Sequence, residues 1–282
     1  MLRLSIVSIT YSDPAGLAAT VNSLQPVFRT LGPNEWQHIV VDSSPAMNRA
    51  LLDGLPAGWP LVHVEQPRQG IYAGFNAALA RARGTYVWFL NGGDGLRDLA
   101  ALAKALRILD AEGGPDIVCG GIYRCRGGTA LYPSWPRRGF LANILGRPWL
   151  CHQAMILRRD ALALVGPFRT DYGATGDYEY HIQCYLAGLR ARFIADILAD
   201  YDTSGVSSDV TTAFKQFREI QLLHRARFPW WVNWAHGIIW WIEYGRVRLL
   251  RRFSATRPGA ALHPLWWRAN RVRHAWMLRR RP

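Results

Sequence analysis

The chain has 282 residues, half of them hydrophobic, and 34 Lys and Arg against 20 Asp and Glu leave a formal net charge of +14. That length and hydrophobic share exclude a disordered chain and allow one large core, or one domain with an appendage. The charge favours polyanionic partners such as nucleic acid, anionic lipid or phosphorylated substrates, and it is uneven: from Phe228 to Pro282 eleven arginines face one acid, Glu243.

The first 120 residues alternate strand-like and helix-like runs. Apolar runs at 2–10, 38–42, 61–65, 85–91 and 116–120 read as strands. Asp13-Pro14 and Ser44-Pro45 each set a capping side chain before a proline at the first helical position. Residues 73–83 and 99–111 are rich in Ala and Leu, as helices prefer. Strands this continuously apolar, alternating with helices, argue for a mostly parallel sheet covered on both faces. Further on, 126–138 is rich in Gly and Pro and reads as loop. Residues 154–157 read as strand, and 159–165 and 174–189 as helix.

The four cysteines, Cys119, Cys125, Cys151 and Cys184, form no CxxC pair and no metal-type cluster with His. Free thiols in a reducing cytoplasm are the expectation. The N-terminus reads as a first strand, without the apolar core and cleavage site of a signal peptide.

In open α/β sheets, ligands bind at the carboxyl ends of the strands. Here those ends are polar: Thr10-Tyr11-Ser12-Asp13, Asp42-Ser43-Ser44, Glu65-Gln66-Pro67-Arg68-Gln69-Gly70 and Asn91-Gly92-Gly93-Asp94. Asp94, behind two glycines, suits a hard cation and a diphosphate; a helix-capping Asp on a Gly-rich turn is the alternative. A dinucleotide fingerprint and a phosphate loop of the G-x-x-x-x-G-K type are both absent.

Seven segments in order resemble glycosyltransferase family 2, the inverting transferases of GT-A fold. They are I-T-Y-S-D, V-V-D-S-S, R-Q-G-I-Y-A-G-F-N, F-L-N-G-G-D, Cys151-His152-Gln153, G-D-Y-E-Y and Ser204-Gly205-Val206-Ser207-Ser208. The likeness spans roughly residues 2–210 and is nearest in flavour to colanic-acid-type exopolysaccharide transferases. It implies a Rossmann-like, mostly parallel central sheet with helices on both faces. It also implies a catalytic domain over 1–225 and a helical Trp/Arg-rich appendage over 226–282.

By this resemblance, Asp177 matches the family's catalytic base, with Glu179 as the other candidate. Asp94 is the metal ligand, for Mg²⁺ or Mn²⁺. Gly93 stands where the middle acid of the metal motif is common, which puts strict metal dependence in question. Thr10 and Tyr11 line the base pocket, and Asp42 accepts from a ring N–H. Gly70, Tyr72, Asn76 and Asn91 belong to the sugar-nucleotide side. His152 and Gln153 sit near the acceptor or the diphosphate. Each has a plainer alternative: Asp42 and Asp177 as helix caps, His152 as a structural histidine.

From Phe228 onward Trp and Arg interleave, as in W-W-V-N-W, I-I-W-W-I and R-V-R-L-L-R-R. The 228–242 run is shorter than the ~18–20 apolar residues of a spanning helix. Tryptophan settles at lipid headgroups and arginine pairs with lipid phosphate. The expectation is peripheral attachment to the inner face of the cytoplasmic membrane, where a lipid-linked glycan would be the acceptor. The function expected is transfer of a sugar from a nucleotide-diphosphate donor, UDP-linked, onto an exopolysaccharide or cell-surface glycan. The alternatives are a basic nucleic-acid-binding protein on an α/β scaffold and a sugar-1-phosphate nucleotidyltransferase.

Overall fold

A computed structural model of the protein describes residues 2–137, 139–145, 150–173, 175–204 and 210–254. The chain separates into two compact units, Met1–Ile144 with Pro148–Ile220, and Leu145–Arg147 with Gln221–Pro282.

The first unit opens with β1 (Leu4–Thr10), α1 (Pro14–Ser23), α2 (Gln25–Thr30), β2 (Trp36–Asp42), α3 (Pro45–Asp53), β3 (Leu61–Glu65), α4 (Ile71–Leu79) and β4 (Tyr86–Phe89). It continues through β5 (Gly95–Leu96), α5 (Leu99–Asp110), β6 (Ile117–Arg126), β7 (Thr129–Ser134), α6 (Phe140–Ile144), β8 (Met155–Arg158), α7 (Arg159–Val165), α8 (Gly176–Leu186) and β9 (Ala191–Asp202). Two helices follow, α9 (Val210–Leu223) and α10 (Trp230–Ser254).

All nine strands join one sheet in the order β3-β2-β1-β4-β8-β6-β9-β5, with β7 folded back on β6. The β3-β2-β1-β4 half is parallel throughout. Strand β8 runs antiparallel between β4 and β6, and β9 then pairs parallel to β6. Strands β1, β2 and β4 are buried along nearly their whole length, as expected of strands covered on both faces. Their register sets Thr10 opposite Asp42, and Asp42 opposite Glu65, so the polar strand ends form one row.

The helix starts obey the capping expectation at one site and depart from it at another. Asp13 Oδ1 accepts from the Gly16 N–H, 2.8 Å away, ahead of Pro14. Ser44 stands before Pro45 in the same way but makes no cap bond to α3. Its hydroxyl instead accepts the Ser12 N–H at 2.8 Å and ties the β1 and β2 ends together. Residues 126–138 are not simply loop: Gly127 and Gly128, both at positive φ, turn β6 into β7. The expected strand at 116–120 is the start of a ten-residue strand.

A buried polar relay crosses the parallel half. Trp59 Nε1 donates to His38 Nδ1 at 3.3 Å, which leaves the ring proton on Nε2, facing Ser8 Oγ at 2.9 Å. Ser8 in turn donates to the Leu90 carbonyl at 2.6 Å. Burial pushes the His38 pKa down from 6.5 to about 3. The unfolded chain therefore takes up a proton below pH 6.5 that the folded chain refuses. Stability from this site is full above pH 6.5 and falls as pH drops toward 3, by up to ~1.4 kcal/mol per pH unit. We expect His38→Gln to flatten the fall by one proton while lowering stability at pH 8; urea unfolding at pH 8, 6 and 4.5 reads both effects.

Candidate active site

The site gathers where β1 and β4 end. After β4 the chain turns through Asn91-Gly92-Gly93-Asp94 before β5. Thr20, fully buried in α1, holds that turn. Its hydroxyl lies 2.9 Å from the Asn91 carbonyl and 2.6 Å from the Asp94 carbonyl, and it accepts the Gly93 N–H at 3.1 Å. Gly93 has φ +94, a left-handed backbone, and a Cβ there would meet the Asp202 carboxylate at 3.4 Å. Strand β5 pairs antiparallel with β9, which brings the end of β9 back to this turn.

Asp94 is buried and engaged at both oxygens. Oδ1 accepts the Asp202 N–H at 3.0 Å and Oδ2 accepts the Gln153 amide at 3.0 Å. Burial nevertheless dominates and pushes its pKa up from 3.8 to about 6, against those hydrogen bonds and His152.

Asp177 lies in the first turn of α8. Oδ1 accepts the Tyr178 N–H at 2.8 Å and the Tyr72 hydroxyl at 3.3 Å, and Oδ2 faces His152 Nδ1 at 3.3 Å. Burial opposes ionisation here too. The His152 hydrogen bond and charge, with His181 and the Tyr178 N–H, outweigh it and hold the carboxyl below its ordinary value. On its other side His152 Nε2 meets Asn91 Nδ2 at 3.1 Å. With Asn91 donating there, the His152 proton sits on Nδ1, toward Asp177. Asn91, His152, Asp177 and Tyr72 thus form one chain, and the next residue, Gln153, holds Asp94. Gln153 is fixed in turn because its carbonyl accepts the buried Trp88 indole at 2.7 Å.

Close packing enforces this arrangement. A Cβ on Gly176 would sit 2.6 Å from the Tyr72 ring, so only glycine lets that ring lie beside the start of α8. The Tyr72 ring stacks on Phe168, which stacks on Tyr180 with centroids 3.8 Å apart. Asn76 uses both ends of its amide on the Phe168 backbone, at 2.8 Å each, and so is a strut behind the site.

The other expected residues lie around this centre. Thr10 is buried, and its Oγ1, like Asn91 Oδ1, has no hydrogen-bond partner among the described residues. Tyr11 is exposed, with the Arg68 guanidinium 4.4 Å over its ring. Asp42 is fully buried; Oδ1 takes Ser44 N–H and Asn48, and Oδ2 faces His63 at 3.4 Å. Gly70 begins α4 at φ +92. Glu179 is buried and bound by Gln183 one turn along. The Gly205-Val206-Ser207-Ser208 segment lies outside the described residues. Among the described residues, no group of three or more His, Cys, Asp or Glu is placed to hold a metal ion.

Residues that the motifs did not flag also build the site. Thr20 and Asp202 are the main ones. His181, one turn beyond Asp177, is buried with Nδ1 lacking a partner among the described residues, and burial pushes it down to about 4. Asp202 ends a strand that sequence reading passed over. Gly176 was legible only as part of the G-D-Y-E match.

The site thus lies on a mixed α/β sheet whose parallel strands end in one row of polar groups. The chain belongs to glycosyl transferase family 2, whose model matches residues 5–183. It is 27% identical over 150 residues to the PGL/p-HBAD biosynthesis glycosyltransferase of Mycobacterium tuberculosis and of Mycobacterium bovis. That match covers 53% of this chain and 57% of those relatives, so it spans little more than half their length. In fold the chain is similar to S. aureus TarS in complex with UDP, with TM-score 0.63 and 18% identity over 94% of this chain and 78% of that one. It is also similar to the mannosyltransferase PcManGT from Pyrobaculum calidifontis in complex with GDP-Man and Mn²⁺, with TM-score 0.55 and 17% identity over 98% and 85%. These likenesses define a GT-A fold.

Asp94 yields a test independent of substrate. Its folded pKa lies above its unfolded value, so ionisation above pH 6 costs the fold stability, and the cost vanishes as pH falls below 3.8. We expect unliganded Asp94→Asn to be more stable than the parent at pH 7.5, by on the order of 3 kcal/mol. The gap should close between pH 6 and 4. Thermal melts across that range would show it, and a gap that does not depend on pH would contradict it.

Proposed function

We propose that the chain is an inverting glycosyltransferase that moves a sugar from a nucleoside-diphosphate donor to an acceptor hydroxyl. The observation that carries this is the Asn91–His152–Asp177–Tyr72 chain beside a second, oppositely tuned carboxylate at Asp94. Asp177 is the base. Its lowered pKa keeps it ionised at neutral pH, and Tyr72 and His152 fix its direction. The acceptor oxygen attacks the anomeric carbon as Asp177 takes its proton. The bond from that carbon to the diphosphate oxygen breaks, and its electrons leave with the nucleoside diphosphate. Attack opposite the leaving group inverts the anomeric centre.

The donor lies along the strand ends. Tyr11, paired with Arg68, offers a stacking face for the base. A ring N–H reaches Asp42 Oδ2 by displacing His63. Thr10 Oγ1, Gly70 and Asn91 serve the sugar-nucleotide side. Mg²⁺ or Mn²⁺ would be held by Asp94 together with the donor's phosphates, because such ions are bound through one or two carboxylates plus substrate phosphates. Bound there, the ion would neutralise charge on the departing diphosphate.

The finer reading is a UDP-linked donor and a lipid-linked glycan acceptor, exopolysaccharide or cell-surface in kind. The acceptor is met by an enzyme seated peripherally on the inner face of the cytoplasmic membrane. The catalytic domain is residues 1–225, and 226–282 is the membrane-associating segment.

Thermal shifts with UDP, GDP and dTDP, each with and without Mn²⁺, identify the donor; a ligand at 100 times its Kd adds about 2.7 kcal/mol. Asp177→Asn should keep that shift and lose at least 1,000-fold in transfer rate. An active Asp177→Asn enzyme would sink the base assignment.

A further inference from the structure

Helix α10 presents its apolar side outward. Trp230, Trp231, Trp234, Ile238, Trp241 and Ile242 are all exposed, Trp230 by 79% and Trp241 by 69%. Their spacing confines them to one third of the helix circumference. Val232 and His236, on the other side, are buried, and His236 meets the Phe228 ring edge-on at 5.6 Å. From Trp230 to Ile242 there is no Lys, Arg, Asp or Glu. A helix on a water-facing surface carries charge on its outer side; this one carries indoles. Beside its start, Leu222, Leu223, Phe228 and Trp230 line an open groove of about 480 Å³, together with Arg225 and Asn233.

We propose that α10 is a membrane-docking helix that lies in the plane of an anionic bilayer with this aromatic face inserted. The inference rests on the peripheral membrane seat proposed above and names the surface that makes it. Three observations favour lipid over a protein partner. Four of the six exposed residues are tryptophan, the side chain that settles at the headgroup boundary. The same helix continues into Arg246, Arg248, Arg251 and Arg252, a complement to lipid phosphate. A second copy of the chain would bring its own arginine-rich segment to the seam, where like charges oppose association. Spanning is excluded for this helix. The uncharged stretch is about 20 Å long at 1.5 Å per residue, short of the ~30 Å hydrocarbon core, and among the described residues no helix is long and apolar enough to cross.

The experiment is sedimentation of the full chain with vesicles of phosphatidylcholine alone and of phosphatidylcholine with phosphatidylglycerol, in 50 and 500 mM salt. Tryptophan emission is followed in parallel. The comparison is Trp234→Ser/Ile238→Ser/Trp241→Ser, with Trp234→Phe/Trp241→Phe as the conservative control. The nucleotide thermal shift certifies that each variant is folded, and Trp234→Ser alone serves if the triple variant is not. We expect the parent to bind anionic vesicles with a blue shift. The serine variant should bind about 100-fold more weakly, and the phenylalanine control within about threefold of the parent.

Binding by the serine variant equal to the parent's would overturn the docking face but leave a charge-driven membrane seat standing. A parent that binds no vesicle would overturn both. Emission of Trp234 and Trp241, taken as the difference between the parent and the phenylalanine control, that is already blue-shifted without lipid, or a dimer that the serine variant dissociates, would show the face covered by the chain itself or by a second copy. Either result would also overturn the proposal.

Discussion

Two carboxylates largely withdrawn from water, Asp94 in the turn after β4 and Asp177 in the first turn of α8, are the constraint on which the rest of the site depends. Desolvation alone would raise the pKa of both. The dipeptide His152-Gln153 separates their fates. His152 gives Asp177 a partner that can carry positive charge, and Asp177 falls below its ordinary pKa. Asp94 is the more deeply buried, and burial outweighs the Asp202 N–H, the His152 charge and the neutral Gln153 amide, so Asp94 rises to about 6. One acid is thereby ready to accept a proton at neutral pH. The other gains most from a cation or from a ligand that recruits one. Because the two partners are consecutive residues, anything that shifts the 150–155 segment moves both acids together. The buried Trp88 indole on the Gln153 carbonyl is what keeps it still.

The sheet explains why such groups can be assembled at all. Parallel β1, β2 and β4 end at one edge, so the sheet itself makes their polar tips converge, and the Ser44 and Thr20 hydroxyls then pin them. Antiparallel β8 then enters beside β4 and delivers the 152–154 turn to the same edge. Strand β9 returns along β6 and carries Asp202 to the Asp94 carboxylate. Fold and site are thus one arrangement: the strand order puts residues 61 and 108 positions apart within hydrogen-bond reach.

The parallel half was legible in the sequence because burial on both faces leaves unbroken apolar runs. Strand β9 was not. Its residues are mostly half-buried and include Asp196, Asp200 and Asp202, so neither alternation nor an apolar run marks it. The β6–β7 hairpin hid behind Gly127-Gly128 and Pro133, which read as loop. Within the site, Asp94, Asp177, His152 and Gln153 were visible as motif residues, and the structure brings them into two linked contacts. Asn76 was visible too, but its amide is spent on the Phe168 backbone, a contact 92 positions away that no local pattern encodes. Thr20 was invisible for the opposite reason. A threonine inside a helix looks like any other until the turn it holds, more than 70 residues on, is seen against it.

The same reasoning separates the two acids of the G-D-Y-E segment. Residues two apart on a helix project about 200° from one another, so Asp177 and Glu179 cannot both face the site. Glu179 is 1% exposed, and its carboxylate is bridged by Gln183. A group so enclosed would have to break that contact and open a path before it met an acceptor. The Asp177 side chain keeps 21% of its surface open while being aimed by two side chains and one backbone N–H. A base needs both an approach for the hydroxyl and a fixed direction for its lone pair. Asp177 has each, whereas Glu179 has direction without approach, and that difference favours Asp177 over Glu179 as the base proposed above.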